Sequence, residues 1–170
     1  MALPCVSPAQ ARQTGTGDTD ASIDTGRLAS CLRRQHDDPQ HCIGLAAKAC
    51  YDRPSSAPNA IRAAQRCDLA ELNYWQGLLD TNAASLNQAL RGASLAAFQD
   101  QQAMWDQTAD LCDFPFNSLD APLWPADEAT RCALHCVADR ALQLKSYVED
   151  FLDFCEFPAT DMRPDFSCKP

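Results

Sequence analysis

The chain lacks any long apolar run, which a membrane-spanning helix would need. No stretch of its 170 residues approaches the roughly 18 consecutive apolar residues that cross a bilayer, and the mean hydropathy is −0.33. The length suits a single continuous core, since domains commonly contain about 100–200 residues. The sequence therefore predicts one domain without a membrane span.

Basic residues are also scarce. The chain has 14 lysines and arginines against 23 aspartates and glutamates, a formal net charge of −9. Such a balance argues against nucleic-acid backbones and anionic membrane surfaces as partners, because both would repel the protein. A cationic protein partner is favoured instead.

Glycine and histidine are rare, and the usual motifs of catalysis are missing. With six glycines and three histidines, the chain has neither a Gly-x-Ser-x-Gly elbow nor a glycine-rich phosphate loop. His135 lies between Cys132 and Cys136, and the other histidines are His36 and His41, but zinc would need thiolates that disulfide formation removes. We therefore expect no enzyme activity, no catalytic residue, no cofactor and no metal, with His135 as an exposed surface residue.

Cysteine, by contrast, is abundant. No Cys-x-x-Cys pair occurs, and the ten cysteines are Cys5, Cys31, Cys42, Cys50, Cys67, Cys112, Cys132, Cys136, Cys155 and Cys168. An even number without a metal motif indicates disulfides formed in an oxidising compartment. The opening stretch "MALPCVSPAQARQTGTGDTD" lacks the basic and apolar regions of a secretory signal. We expect a periplasmic or secreted mature chain whose signal has been removed.

Apolar residues recur at helical spacing, and nothing alternates with period two over a useful length. The pattern predicts helices around Thr25–Arg34, over 39–51, over 59–90, from a break at Gly92 towards Cys112, and from Pro125 to about Asp153. The expected fold is all-α, a disulfide-stapled helical bundle with a long central helix or helix pair.

The predicted organisation has three segments. Residues 1–22 form an irregular N-terminal arm rich in Ser, Thr, Gly, Asp and Pro, residues 23–154 form the helical domain, and residues 155–170 form an irregular tail tied by cysteine.

Helix geometry indicates which cysteines meet at the first helical hairpin. If 39–51 and 59–90 run antiparallel and turn near position 55, Cys42 and Cys67 lie about equally far from the turn and face each other. Cys50 lies too near the turn to be the natural partner of Cys67. The expected bridge is Cys42–Cys67.

The remaining cysteines are assigned less completely. Cys112 closes one helix and can reach Cys132 on the next, with Cys136 as the competitor on the same face. Cys155 and Cys168 are left to tie down the tail. Ten cysteines allow many connectivities, so the full map stays open.

Four stretches of the chain resemble the lysozyme-inhibitor LprI-like N-terminal domain family. They are "CIGLAAKAC", "RCDLAELNYW", "QQAMW" and "RCALHCVADRALQL", within about residues 42–145. The residues that match the family pattern are Cys67, Glu71, Trp75, Gln102, Trp105, Cys112, Cys132, Arg140 and Leu144. The family's arginine between the second tryptophan and its cysteine is missing here. The resemblance implies a small exported helical domain that binds protein, with lysozyme inhibition as the family's associated activity.

Cys67, Glu71 and Trp75 are spaced four residues apart and form a stripe along one predicted helix. We expect Cys67 to fix the hairpin and Trp75 to pack in the core, as Trp and Cys at helical spacing usually do. Glu71 is then either a partner-facing acid or the acceptor for a buried donor, and Arg140 is the candidate cation for it. Trp105 is expected in the core on the same reasoning.

The stretch "EDFLDFCEF" is the one segment with the character of a binding surface. Its acids are Glu149, Asp150, Asp153 and Glu156, interleaved with Phe151, Phe154 and Phe157. Aromatic side chains could anchor a cationic protein while the acids steer it. The alternative is a helix end with one solvated face and one core face.

These observations predict a non-enzymatic, exported protein-binding domain that inhibits a lysozyme-type muramidase by occlusion. A structural or accessory subunit of a cell-envelope assembly is the alternative. A lipid-binding helical bundle is a third hypothesis, and it would require an apolar cavity.

Overall fold

The computed structural model describes residues 22–52, 60–109 and 126–156. These parts of the chain form five α-helices and one 3-10 turn, and they contain no strand. The helices are α1 (Thr25–Arg34), α2 (Leu45–Tyr51), α3 (Ala60–Ala89), α4 (Gly92–Ala109) and α5 (Ala126–Glu156), and the 3-10 turn is Pro39–Cys42. The all-α prediction is confirmed. Almost all of the predicted N-terminal arm and C-terminal tail lies outside the described residues. Cys5, Cys112 and Cys168 also lie outside them.

Helix α1 begins and ends where the sequence predicts. The Asp24 side chain accepts a hydrogen bond from the backbone N–H of Arg27 at 3.0 Å, which satisfies a first-turn amide. Arg33 and Arg34 lie in the last turn, where cations suit the helix dipole. One face, which includes Leu28, is buried in the core.

The single helix predicted over 39–51 is wrong. The structure has the 3-10 turn Pro39–Cys42, then Gly44 in the left-handed conformation with φ of 80°, then α2. A left-handed residue cannot lie inside a right-handed helix, so Gly44 divides the segment in two. This break turns Cys42 away from the face that α2 presents to α3.

The long helix predicted over 59–90 is confirmed as α3, whose 30 residues span about 45 Å. The predicted break before α4 is also present. Gly92, the first residue of α4, has φ of 53°, a backbone conformation that glycine adopts without steric cost.

Helices α3 and α5 form the frame of the bundle. They run in the same direction, since Gln65 Nε2 donates to Thr130 Oγ1 at 3.5 Å and, farther along, Asn82 Nδ2 donates to the carbonyl oxygen of Ala141 at 3.2 Å. The core between the helices contains Leu28, Trp75, Leu79, Leu86, Phe98, Leu134, Ala138, Ala141 and Leu144. Helix α2 packs antiparallel on the first half of α3, and α4 packs on α5.

The predicted Cys42–Cys67 bridge is wrong. The disulfides are Cys31–Cys42 and Cys50–Cys67, each with a Cα–Cα distance of 5.8 Å. The register of the hairpin differs from the one assumed, since Cys50, in the last turn of α2, lies opposite Cys67 on α3. Cys42, turned away by the break at Gly44, reaches α1 instead.

The cysteines of α5 belong to the part of the disulfide connectivity that the sequence leaves open. Cys155 takes part in a disulfide. Cys132 is exposed and Cys136 is half-buried, one helical turn farther along. Pairing of Cys112 with Cys132 stays a prediction, because Cys112 lies outside the described residues.

Two glycines allow helix propensity to be separated from backbone strain. A Cβ atom added at Gly77 or at Gly44 would meet no heavy atom within 4 Å, but only Gly44 has a positive φ. We expect Gly77→Ala to raise the free energy of unfolding by about 1 kcal/mol, and Gly44→Ala to lower it by about 1–2 kcal/mol. Urea denaturation of both variants measures this. Destabilisation by Gly77→Ala would show that something packs against this face of α3.

Candidate functional site

The Glu71 carboxylate lies fully buried between α3 and the start of α2. Its Oε1 atom accepts the backbone N–H of Gly44 at 2.7 Å, and its Oε2 atom accepts that of Ala47 at 2.6 Å. These amides belong to the first turn of α2, where no earlier carbonyl can satisfy them. Gly44 has no side chain that could cap the helix. Glu71 therefore caps α2 from another helix, with a negative charge at the positive end of the helix dipole.

Trp75 completes the environment of this carboxylate. Its indole Nε1 donates to Glu71 Oε1 at 3.0 Å, and the ring is fully buried. Tyr74 meets Trp75 edge to face, with ring centroids 5.6 Å apart. Burial raises the pKa of Tyr74, and the nearby charge of Glu71 raises it further.

The stripe of Cys67, Glu71 and Trp75 thus fastens α2 to α3. Cys67 bonds to Cys50 at the end of α2, while Glu71 caps the start of α2 and Trp75 holds the carboxylate in place. Of the two expected roles for Glu71, the acceptor of buried donors is confirmed, and its full burial rules out the partner-facing role in this structure. The donors are two amides and an indole, so the expectation that Arg140 pairs with Glu71 is wrong.

Arg140 instead joins α5 to α4. Its Nε atom donates to Gln102 Oε1 at 3.1 Å, Nη2 donates to the same oxygen, and Nη1 donates to Gln143 Oε1 at 2.5 Å. Burial lowers the pKa of Arg140, opposed by Tyr147 and the Asp106 carboxylate. Two of the family-pattern residues, Gln102 and Arg140, therefore contact each other.

A second buried carboxylate, that of Asp68, was not expected from the sequence. Tyr51 donates its hydroxyl hydrogen bond to Asp68 Oδ1, and an Arg131 Nη2 atom lies 4.0 Å from Asp68 Oδ2. Asp68 is 2% exposed. Burial is the main cause that raises the pKa of Tyr51, and the hydrogen bond to Asp68 adds to it. This cluster joins α2, α3 and α5.

A signal for that cluster was present in the sequence. Tyr51 follows Cys50 and Asp68 follows Cys67, so the correct disulfide brings the two side chains together. The predicted Cys42–Cys67 bridge does not bring Tyr51 and Asp68 together, so this contact was not predicted. Trp105, expected in the core, is half-buried and packs against the core residues.

The predicted acidic surface lies at the end of α5. Asp150 and Asp153 are exposed, whereas Glu149 forms an ion pair with Lys145 one turn earlier. Leu152 is 57% exposed and Tyr147 is 40% exposed on the same helix end. The side chains of Glu156 and Phe154, and all of Phe157, lie outside the described residues.

The histidines lie on the surface. His135 is exposed, as expected, and His41 Nδ1 lies 2.8 Å from Asp38 Oδ2. Among the residues that the structure describes, no group of three or more His, Cys, Asp or Glu side chains is placed to hold a metal ion.

Comparison with known proteins assigns neither a family nor a function to the chain. No protein-family model matches the chain, and neither a curated protein nor a solved structure matches it. None of the helices within the described ranges is long and apolar enough to cross a membrane.

Replacement of Glu71 tests the cap. We expect Glu71→Gln to lower the free energy of unfolding by about 2–3 kcal/mol, because the charge-assisted bonds are lost and an amide group then faces N–H donors. Guanidinium denaturation at pH 7 measures the change. Glu149→Gln, at a partly exposed ion pair, is the control and should change stability by less than about 1 kcal/mol. Equal effects in both variants would contradict the cap.

The Tyr51–Asp68 contact predicts alkaline sensitivity. The pKa of Tyr51 is higher in the folded protein than in the unfolded chain, so folding holds a proton that the unfolded tyrosine releases above about pH 10. The associated stability is fully present below that pH and is lost as the pH rises towards the folded-state pKa.

Tyr51→Phe checks this expectation. The variant should lose about 1–3 kcal/mol at pH 7, because buried Asp68 loses a donor. It should also show a smaller fall in thermal midpoint between pH 9 and about pH 11 than the wild type. An unchanged alkaline slope would show that the Tyr51 proton is not linked to folding.

Proposed function

We propose that this protein is an exported, non-enzymatic protein-binding domain that inhibits a lysozyme-type muramidase by occlusion. The observation that carries the proposal is the end of α5, where the exposed Tyr147, Asp150 and Asp153 follow one another at three-residue spacing. Acids beside an aromatic side chain suit a cationic protein partner, since charge guides the approach and the buried aromatic contact supplies affinity.

The position of these side chains supports the proposal. Because Asn82 lies opposite Ala141, α3 ends before α5 does, which leaves about the last two turns of α5 beyond the frame. Tyr147, one turn before, adds an aromatic side chain of the kind that anchors interfaces.

The family-pattern residues support a scaffold role. Glu71 and Trp75 fasten α2, and Gln102 and Arg140 join α4 to α5, so their polar groups contact other parts of the same chain. Contacts to a target must therefore come from other, exposed residues. The acids of α5 are such residues.

The disulfides support an oxidising location. Two bridges within the described helices are unusual for a reducing cytosol, and a periplasmic or secreted location follows as part of the proposal.

An accessory subunit of an envelope assembly is the second candidate. The observation that favours it is Leu69, which is 41% exposed on α3 and shares an outward face with the exposed Asn73 and Gly77. Such a face suits packing against another subunit. The lipid-binding alternative has less support, since large apolar side chains such as Trp75 and Leu134 pack against one another in one cluster of the described residues.

Inhibition of a lysozyme panel tests the proposal. The protein at micromolar excess should slow lysis of a peptidoglycan suspension by at least one cationic lysozyme, and association should slow as salt screens the charges. Asp150→Lys with Asp153→Lys should reduce the association rate by about tenfold at low salt. Biosensor kinetics measure that rate.

A matched control has the same change in net charge. Asp100→Lys with Asp139→Lys alters two exposed acids elsewhere and should reduce the rate much less. Equal effects would show that net charge, and not the end of α5, guides binding. No inhibition of any panel member would favour the accessory-subunit candidate.

A further inference from the structure

The two disulfides hold residues 25–52 in different ways. Cys31–Cys42 joins α1 to the 3-10 turn, so both of its ends lie inside this segment. Cys50–Cys67 joins the end of α2 to α3 and connects the segment to the frame. Within the described part of the chain, it is the one covalent cross-link between them.

The four cysteines differ in their exposure to solvent. Cys31, Cys42 and Cys67 are all buried, whereas Cys50 is half-exposed. Thiol–disulfide exchange begins when a thiolate reaches one sulfur of the bridge, so access selects which bridge reacts. Cys50 is the accessible end of the bridge that connects α2 to the frame, while the Cys31–Cys42 bridge is shielded at both ends.

Helix α2 depends on this connection. It has seven residues, well below the roughly 12 residues at which an isolated helix becomes even marginally stable. The Tyr51–Asp68 hydrogen bond and the Glu71 cap both require α2 to lie in register on α3. The disulfide holds that register next to the Tyr51–Asp68 contact.

We propose that Cys50–Cys67 is a redox-sensitive latch that holds α2 over the buried carboxylates of α3. A dithiol reductant attacks Cys50 Sγ as a thiolate, the Cys50–Cys67 bond breaks, and Cys67 leaves as a thiolate that takes up a proton. The second thiol of the reductant then displaces Cys50, which also becomes a thiol. Two electrons pass from the reductant, which becomes a disulfide.

Opening of the latch loosens α2 without dismantling the bundle. Cys31–Cys42 still joins α1 to the 3-10 turn, and α3 and α5 keep their shared core. The face uncovered carries Asp68 and Glu71. The latch thus keeps two carboxylates covered in the oxidised protein.

Graded reduction of the full chain tests the latch. Samples are exposed to increasing concentrations of a dithiol, alkylated in the native state and mapped by mass spectrometry, and amide exchange is measured in parallel. Cys50 and Cys67 should be alkylated at lower dithiol concentration than Cys31 and Cys42. The amide-exchange protection factors of Gly44–Tyr51 should then fall about a hundredfold. This is the size expected when the loop closed by Cys50–Cys67 is opened.

The central amides of α3 and α5 serve as the internal control and should keep their protection at that stage. The double variant Cys50→Ser with Cys67→Ser should show the same loss at α2 without any reductant. Alkylation of Cys31 and Cys42 first, or together with Cys50 and Cys67, would overturn the proposal. So would unchanged protection of α2 after the latch opens, or simultaneous loss throughout α3 and α5.

Discussion

The Glu71 carboxylate is the contact on which the arrangement of the first half of the chain depends. A buried charge is tolerated only when it is fully hydrogen-bonded, and here two amides of α2 and the indole of Trp75 supply the donors. The need is reciprocal, because Gly44 at the start of α2 has no side chain that could cap the first-turn amides. The Glu71 carboxylate and the first-turn amides of α2 therefore offset each other's cost of burial away from water. The position of α2 on α3 is therefore fixed by a polar contact as well as by packing.

The helices themselves were largely predictable, because their signals are local. Asp24 caps α1, the apolar spacing along α3 marks a long amphipathic helix, and Gly92 marks the break before α4. The same local reasoning failed at Gly44. A glycine within a helical pattern can lie in the helix or end it, and only its tertiary surroundings decide between the two.

That one ambiguity explains the wrong disulfide. If the helix over 39–51 were unbroken, Cys42 and Cys50 would lie two turns apart on similar faces. The length of the following loop would then be the only guide to which of them pairs with Cys67. The left-handed backbone at Gly44 separates the two cysteines and directs Cys42 towards α1. The misassigned partner of Glu71 has a related cause. A buried acid suggests a cation, but capping by backbone amides leaves no side-chain pattern in the sequence to detect.

The division between internal and exposed residues limits what a motif can say about a target. Glu71, Trp75, Gln102 and Arg140 are residues on which the predicted resemblance rests, and each bonds within the domain. A motif of this kind specifies a scaffold, and scaffolds can present different surfaces to different partners. Asp150, Asp153 and Leu152 are under no such internal constraint, since they project from α5 beyond the end of α3. Specificity in such a domain would therefore be set by side chains that can change without disturbing the buried network beneath them.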